Sequence, residues 1–172
     1  MGKKKIVTFG GYPMTLVGNE VKVGDEAPAF TVLDKDLNAV HLADFFGKVK
    51  IISATPSLDT AVGGIQARKF NEEAGVLGDK VSVIKITMDL PFAIARFCAS
   101  AGIEKIRIYS DHRDASFGNA YGILIKELRL LSRAIFVVDQ LDIIRYIEVV
   151  PDIINQLNYD KVLTEAKNMI EL

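Results

Sequence analysis

Few side chains in this 172-residue sequence can do covalent or metal chemistry, and the scarcity narrows the reading at once. Cys98 is the only thiol, so no disulfide can close within the chain. Set in the apolar run AIARFCASAG, it reads first as a small buried hydrophobe. With His41 and His112 it makes at most three nitrogen or sulfur ligands, one short of a structural zinc set. Neither a Walker loop nor a GxGxxG occurs, so no metal or nucleotide cofactor is expected. Hydroxyls gather in Pro56-Ser57-Leu58-Asp59-Thr60, but an alcohol needs an adjacent base to act as a nucleophile near neutral pH. No histidine lies near them in sequence. Thr60 reads as a helix N-cap and Arg133 as a surface or paired cation at the start of a strand. Taken together, these two outline a pocket for a small anion.

The elements that must position these residues follow from apolar spacing and turn chemistry. KKIVTF and MTLVG flank Gly10-Gly11-Tyr12-Pro13 as a hairpin, which makes residues 1–18 an N-terminal extension. A loop over Gly24–Pro28 leads to a short strand, Phe30–Leu33, and a turn at Asp34–Asp36. His41–Phe46 is a short helical or irregular piece. VKIISAT has the density of a buried strand and runs into the Pro56 loop. Ala67, Phe70, Ala74 and Leu77 then recur at helical spacing, with Gly75 and Gly78 as candidate stops. KVSVIKITM alternates as a strand, Asp89 is placed to cap the next helix, Pro91 sits in its first turn, and Gly102 ends it. IRIYS is a strand and SDHRDASFGNAYG an irregular stretch, with His112 and Arg113 facing solvent. RAIFVVD and IIRYIEVV pair across Gln140-Leu141-Asp142, and a last helix carries Val162, Leu163, Ala166, Met169 and Ile170 on one face. His41 reads as a surface residue, while Phe92 and Phe97 fit the core or an interface equally well.

Strand–helix–strand–helix followed by a hairpin and a helix is an α/β order, with a central mixed sheet flanked by helices. In such sheets the ligand site lies beyond the carboxyl end of a central strand, at a helix N-terminus. That places it in the loop after VKIISAT. A formal charge of −1 gives no electrostatic reason to expect nucleic acid, and Lys3–Lys5 reads as a solvated end. The apolar stretch after those lysines is too broken for a signal peptide, and no run is long enough to span a membrane. The expectation is a single cytoplasmic domain over residues 1–172.

The loop PSLDTAVGG resembles the peroxiredoxin motif Pro-x-x-x-Thr-x-x-Cys. Pro56 and Thr60 stand at the right spacing, and Gly63 occupies the cysteine position. PSLDTAVGGIQARKFNEEA, DLPFAIARFCASAGI, YSDHRDASFGNAYG and SRAIFVVDQLDIIRYIEVV are similar in order to the thiol peroxidase branch, as is the hairpin. The resemblance implies a thioredoxin-like (peroxiredoxin) fold, a homodimer, and thioredoxin-dependent reduction of hydroperoxides as the family's antioxidant activity. It assigns Thr60 to orienting the peroxide, Arg133 to supporting the polar transition state, Pro56 to shaping the pocket, and Cys98 to the resolving position. Gly63 removes the nucleophile from that scheme, leaving no sulfenic acid for Cys98 to resolve or thioredoxin to reduce. The expectation is a pseudo-enzyme with impaired peroxide turnover, whose Thr60/Arg133 pocket is partly empty. A one-cysteine peroxidase using Cys98 and a non-enzymatic binding or regulatory protein are the competing readings.

Overall fold

The computed structural model describes residues 5–170; of the N-terminal lysine run, Lys3 and Lys4 lie outside them. The chain opens with β1 (Lys5–Phe9) and β2 (Tyr12–Val17), which pair so that Phe9 faces Tyr12. Between them Gly10 and Gly11 have φ of 55° and 89°, the conformation that a two-residue turn needs to match strand twist. β3 (Thr31–Leu33) and β4 (Ala39–His41) form a second small hairpin, and a single 3-10 turn over Leu42–Phe45 follows. The central unit is β5 (Val49–Ala54), α1 (Ala61–Leu77), β6 (Val81–Thr87), α2 (Pro91–Ala101) and β7 (Arg107–Ser110). These three strands run parallel, β5 beside β6 and β6 beside β7.

The stretch read as irregular contains one short helix, α3 (Ser116–Ala120). Two two-residue strands absent from the sequence reading come next, β8 (Leu124–Ile125) and β9 (Leu130–Leu131). They extend the N-terminal hairpin into a four-stranded sheet of order β1-β2-β8-β9. The last elements are β10 (Ala134–Val138), β11 (Ile144–Val149) and α4 (Tyr159–Ile170). The large sheet has the order β11-β10-β5-β6-β7-β3-β4, so β5 lies between an antiparallel and a parallel neighbour.

Both faces of this sheet are covered, which is why every residue of β5 and β10 is buried. On one face α1, α2 and α4 contribute Phe70, Ile94 and Val162 to a core with Ile51, Val83 and Ile135. The opposite face is aromatic: Phe117 of α3 and Tyr121 pack edge-to-face on Phe136 at 6.1 and 5.0 Å between centroids. Two expectations need correction. Gly75 lies inside α1, and Gly78 alone ends it. Asp89 does not cap α2, because its carboxylate is engaged elsewhere; Leu90 is the N-cap residue, and its aliphatic side chain offers no bond.

Candidate functional site

The loop between β5 and α1 is held by its own polar groups and by one carboxylate from the next strand. Asp89, just past β6, accepts from Ser57 Oγ at 2.7 Å and Leu58 N at 2.8 Å. It also accepts from Thr87 Oγ1 at 2.9 Å. Thr60 is the N-cap, as its position predicts: its Oγ1 accepts from Gly63 N at 3.0 Å. The same hydroxyl donates to Ser57 O at 2.8 Å, so its proton is committed within the loop.

Gly63 is where the helix start closes on that loop. A Cβ built there would overlap Ser57 O and stand only 2.6 Å from Thr60 Oγ1. The missing side chain therefore leaves no hole at position 63, contrary to the expectation of a partly empty site. Without a Cβ, the first turn packs directly against the Ser57 carbonyl.

Arg133, expected as a surface or paired residue, is only 1% exposed. Its Nε donates to Ile153 O at 2.9 Å, and its Nη1 donates to Thr55 Oγ1 at 2.7 Å and Gln66 Oε1 at 3.0 Å. Burial pushes its pKa down to about 10, which leaves it cationic at neutral pH. Beneath α1 lies a second buried basic side chain, Lys85 of β6, cross-strand from Ser53. Its amine has no hydrogen-bond partner, and burial, reinforced by the Arg133 charge and opposed by Asp89, pushes its pKa well below the usual lysine range.

Pro56, Thr60 and Arg133 converge on one cavity of about 270 Å³. Its remaining walls are apolar: Val62 from α1, Ile153 and Ile154 from the segment after β11, and Phe9 from the hairpin. Gly63 stands against Thr60 at the cavity's edge, while Cys98 belongs to a different space. Half-buried on α2, Cys98 lines a cavity of about 500 Å³ with Asp34, Lys35 and Tyr109. Burial pushes its thiol pKa up, against a smaller pull downward from Lys35. His41 and Arg113 are exposed, as read from the sequence, whereas His112 is only partly exposed; Phe92 is exposed while Phe97 is partly covered beneath Arg68. Among the described residues no cluster of three His, Cys, Asp or Glu could hold a metal ion. Likewise, no helix there is long and apolar enough to cross a membrane.

Sequence reasoning missed Thr55, Gln66 and Asp89, which hold the site's polar groups, and Phe9, Ile153 and Ile154, which wall the cavity. Thr55 and Asp89 carried a usable signal, since each is a polar residue at the carboxyl end of a buried strand. Phe9 carried none, because nothing local ties a hairpin tip to a loop far along the chain.

Comparison with known proteins agrees with this architecture. The family model described as Redoxin matches residues 22–163. A thiol peroxidase of Halalkalibacterium halodurans is 55% identical over 161 residues, covering 94% of this chain and 96% of that protein. A thiol peroxidase of Bacillus subtilis is 54% identical over 165 residues, covering 96% and 98%. Among solved structures, a peroxiredoxin-like protein from Aquifex aeolicus superposes with a TM-score of 0.90 at 38% identity, covering 98% of this chain and 99% of that one. A thiol peroxidase from Chromobacterium violaceum, 23% identical, shares the fold with a TM-score of 0.84, covering 97% and 98%.

Proposed function

The chain belongs to the Redoxin family, in its thiol peroxidase branch, and from that membership we propose that it keeps the family's scaffold but not its peroxide turnover. Its fold is the thioredoxin-like fold of the peroxiredoxins. The observation that carries the proposal is Gly63. At the position of the attacking cysteine there is no side chain, and the backbone has closed so that a Cβ would meet the Ser57 carbonyl. Peroxide reduction by the family route needs a thiolate to attack the O–O bond and a sulfenic acid to be resolved. This chain has neither the first sulfur nor, therefore, work for Cys98 as the second. The residues that would have served the reaction are directed inward: Thr60 donates to Ser57 O, and Arg133 is held by Thr55, Gln66 and Ile153. Thioredoxin finds no disulfide to reduce here.

The cavity beside Thr60 remains, and we take binding there to be the retained capacity of the site. Its apolar walls favour an uncharged group over a small anion, and Arg133 at its edge spends Nε and Nη1 on Ile153, Thr55 and Gln66. The protein is proposed to be cytoplasmic and to act as a homodimer. Leu90 and Phe92 at the start of α2 and Ile65 on α1 are 53%, 69% and 46% exposed, apolar area that a second copy would cover.

Peroxide consumption coupled to thioredoxin and its reductase tests the central reading, run on the native chain and on Gly63→Cys. The native chain is expected to show no turnover above background. Gly63→Cys is expected to recover only part of a thiol peroxidase rate, because Ser57 must first move. Turnover by the native chain, abolished in Cys98→Ser, would overturn the proposal and assign the chemistry to Cys98.

A further inference from the structure

The tip of the N-terminal hairpin is tied to the segment after β11 by an unusual concentration of hydrogen bonds. Residues 151–154 run alongside β1 as a strap: Thr8 N donates to Pro151 O at 2.8 Å and Ile153 N donates to Thr8 O at 2.9 Å. The Asp152 carboxylate then accepts four more. Oδ2 takes Thr8 Oγ1 at 2.8 Å and Gly11 N at 3.0 Å, and Oδ1 takes Gly10 N at 3.1 Å and Ile154 N at 3.2 Å. The Thr8 hydroxyl, followed by those backbone donors, holds the Asp152 carboxyl below its usual range, so it is a carboxylate at neutral pH. From its other side the strap is gripped by Arg133, whose Nε donates to Ile153 O.

This clamp lies directly behind three walls of the cavity, Phe9 on the hairpin and Ile153 and Ile154 on the strap. The hairpin as a whole has other anchors. Val7 and Leu16 pack with Ile125 and Ile153, β2 pairs with β8, and Glu127 accepts from Thr15 N at 2.9 Å. Those contacts hold its strands, while among the described residues only Asp152 accepts from the two turn glycines. Loss of Asp152 therefore releases the two turn amides and the Thr8 hydroxyl, while strand pairing and the backbone bonds of Thr8 keep the ribbon folded.

We propose that Asp152 is the positioning residue of the cavity beside Thr60: it fixes the hairpin tip so that Phe9 stands against Ile153 and Ile154, setting the width of a slot for a narrow, uncharged aliphatic group. The assignment of a ligand class rests on the reading of that cavity as the retained site, while the positioning role rests on the hydrogen bonds alone. Preorganising one wall in this way lowers the ordering cost that a ligand would otherwise meet.

The chain contains no tryptophan, so Phe9→Trp supplies a single fluorescent reporter on the wall itself. Asp152→Ala and Glu127→Ala are compared in that background, since each removes one carboxylate from the same hairpin. Asp152→Ala is expected to shift Trp emission to the red and to raise its quenching by acrylamide about twofold, with Glu127→Ala close to the parent. Binding of 1-hexanol, followed by the same emission, is expected to weaken about fivefold in Asp152→Ala alone. If Asp152→Ala does not fold, Thr8→Val, which removes one of the four donors, is expected to give a smaller change in the same direction. Equal responses to the two carboxylate changes, or an unchanged reporter in Asp152→Ala or Thr8→Val, would overturn the positioning role. Failure of 1-hexanol to bind the parent reporter would overturn the aliphatic slot, and the quenching comparison would still decide the role of Asp152.

Discussion

β5 and β6 lie side by side at the centre of the large sheet, and each buries a lysine completely, on opposite faces and with opposite fates. Lys50 points to the aromatic face, where its amine meets the carboxylate of Asp142 in the β10–β11 turn. Lys85 points to the helical face, beneath α1, and meets no partner at all. Its surroundings are no better matched: Ser53 Oγ and Gln66 Nε2 are also buried without partners, and Arg133 adds a cation. Lys50 is thus compensated where it lies, while the helical face carries a wedge of surplus donors around Lys85. A buried charge is tolerable when paired and costly when not. The difference teaches that the helical face holds polar groups that its present packing does not need.

The largest effect should come from breaking the compensated side. Asp142→Asn removes the negative partner of Lys50 while keeping a residue that tolerates the left-handed backbone, φ 63°. We expect a loss of about 3–5 kcal/mol in urea unfolding, the cost of stranding a buried charge. A loss near zero would mean that Lys50 reaches water and that the two lysines are alike.

Next is Gly63→Ala. Helix propensity alone favours alanine by about 1 kcal/mol, but overlap with Ser57 O runs the other way. Overpacking against backbone should win, giving a net loss of about 1–3 kcal/mol in the same unfolding assay. A stabilised variant would show that the first turn of α1 has room for a side chain.

Lys85→Met is expected to stabilise the protein by about 1–3 kcal/mol, because it removes an uncompensated amine and keeps the volume. The pH dependence follows from the sign of the shift. The folded-state pKa lies well below the value of 10.5 that the unfolded chain retains. Between those two values the unfolded state binds the additional proton, so stability rises with pH across that interval. The advantage of Lys85→Met should therefore shrink as pH rises from neutral toward 10.5; a constant advantage would show that Lys85 stays charged in the fold.

The smallest effect concerns the helical face's thiol. With its pKa raised by burial, Cys98 should react with iodoacetamide at pH 8 several-fold more slowly than a free cysteine, roughly in proportion to its thiolate fraction. A faster reaction would mark a second reactive point on that face.

Much of this molecule was legible from its residues. The apolar density of β5 and β10, the Pro91–Gly102 frame of α2 and the paired glycines of the hairpin each carry a local cause and formed as read, while Tyr12 and Pro13, read as part of the turn, open β2 instead. β8 and β9 did not appear because two residues make no period, and the strand that ties β8 to the hairpin, β2, is more than a hundred residues away. Lys85 was hidden by its own strand: in VSVIKIT a charged residue suggests an outward position, yet every residue except Ser82 is buried. The Pro56–Thr60 loop could be placed because a strand ending at a helix start specifies a location. What fills that location could not be, since the grip of Thr55 and Gln66 on Arg133 joins three separated segments.

The strap of residues 151–154 also bears on how molecules of this protein keep apart. β1 is the terminal strand of its sheet, and an open outer edge is a template on which another chain can add a strand. Thr8 spends both its amide and its carbonyl on the strap, which occupies that edge near the hairpin tip. Ile6 and Tyr12 stand exposed close by, at 62% and 74%. Peeling the strap away would join an unpaired edge to apolar side chains, the combination from which intermolecular sheets grow.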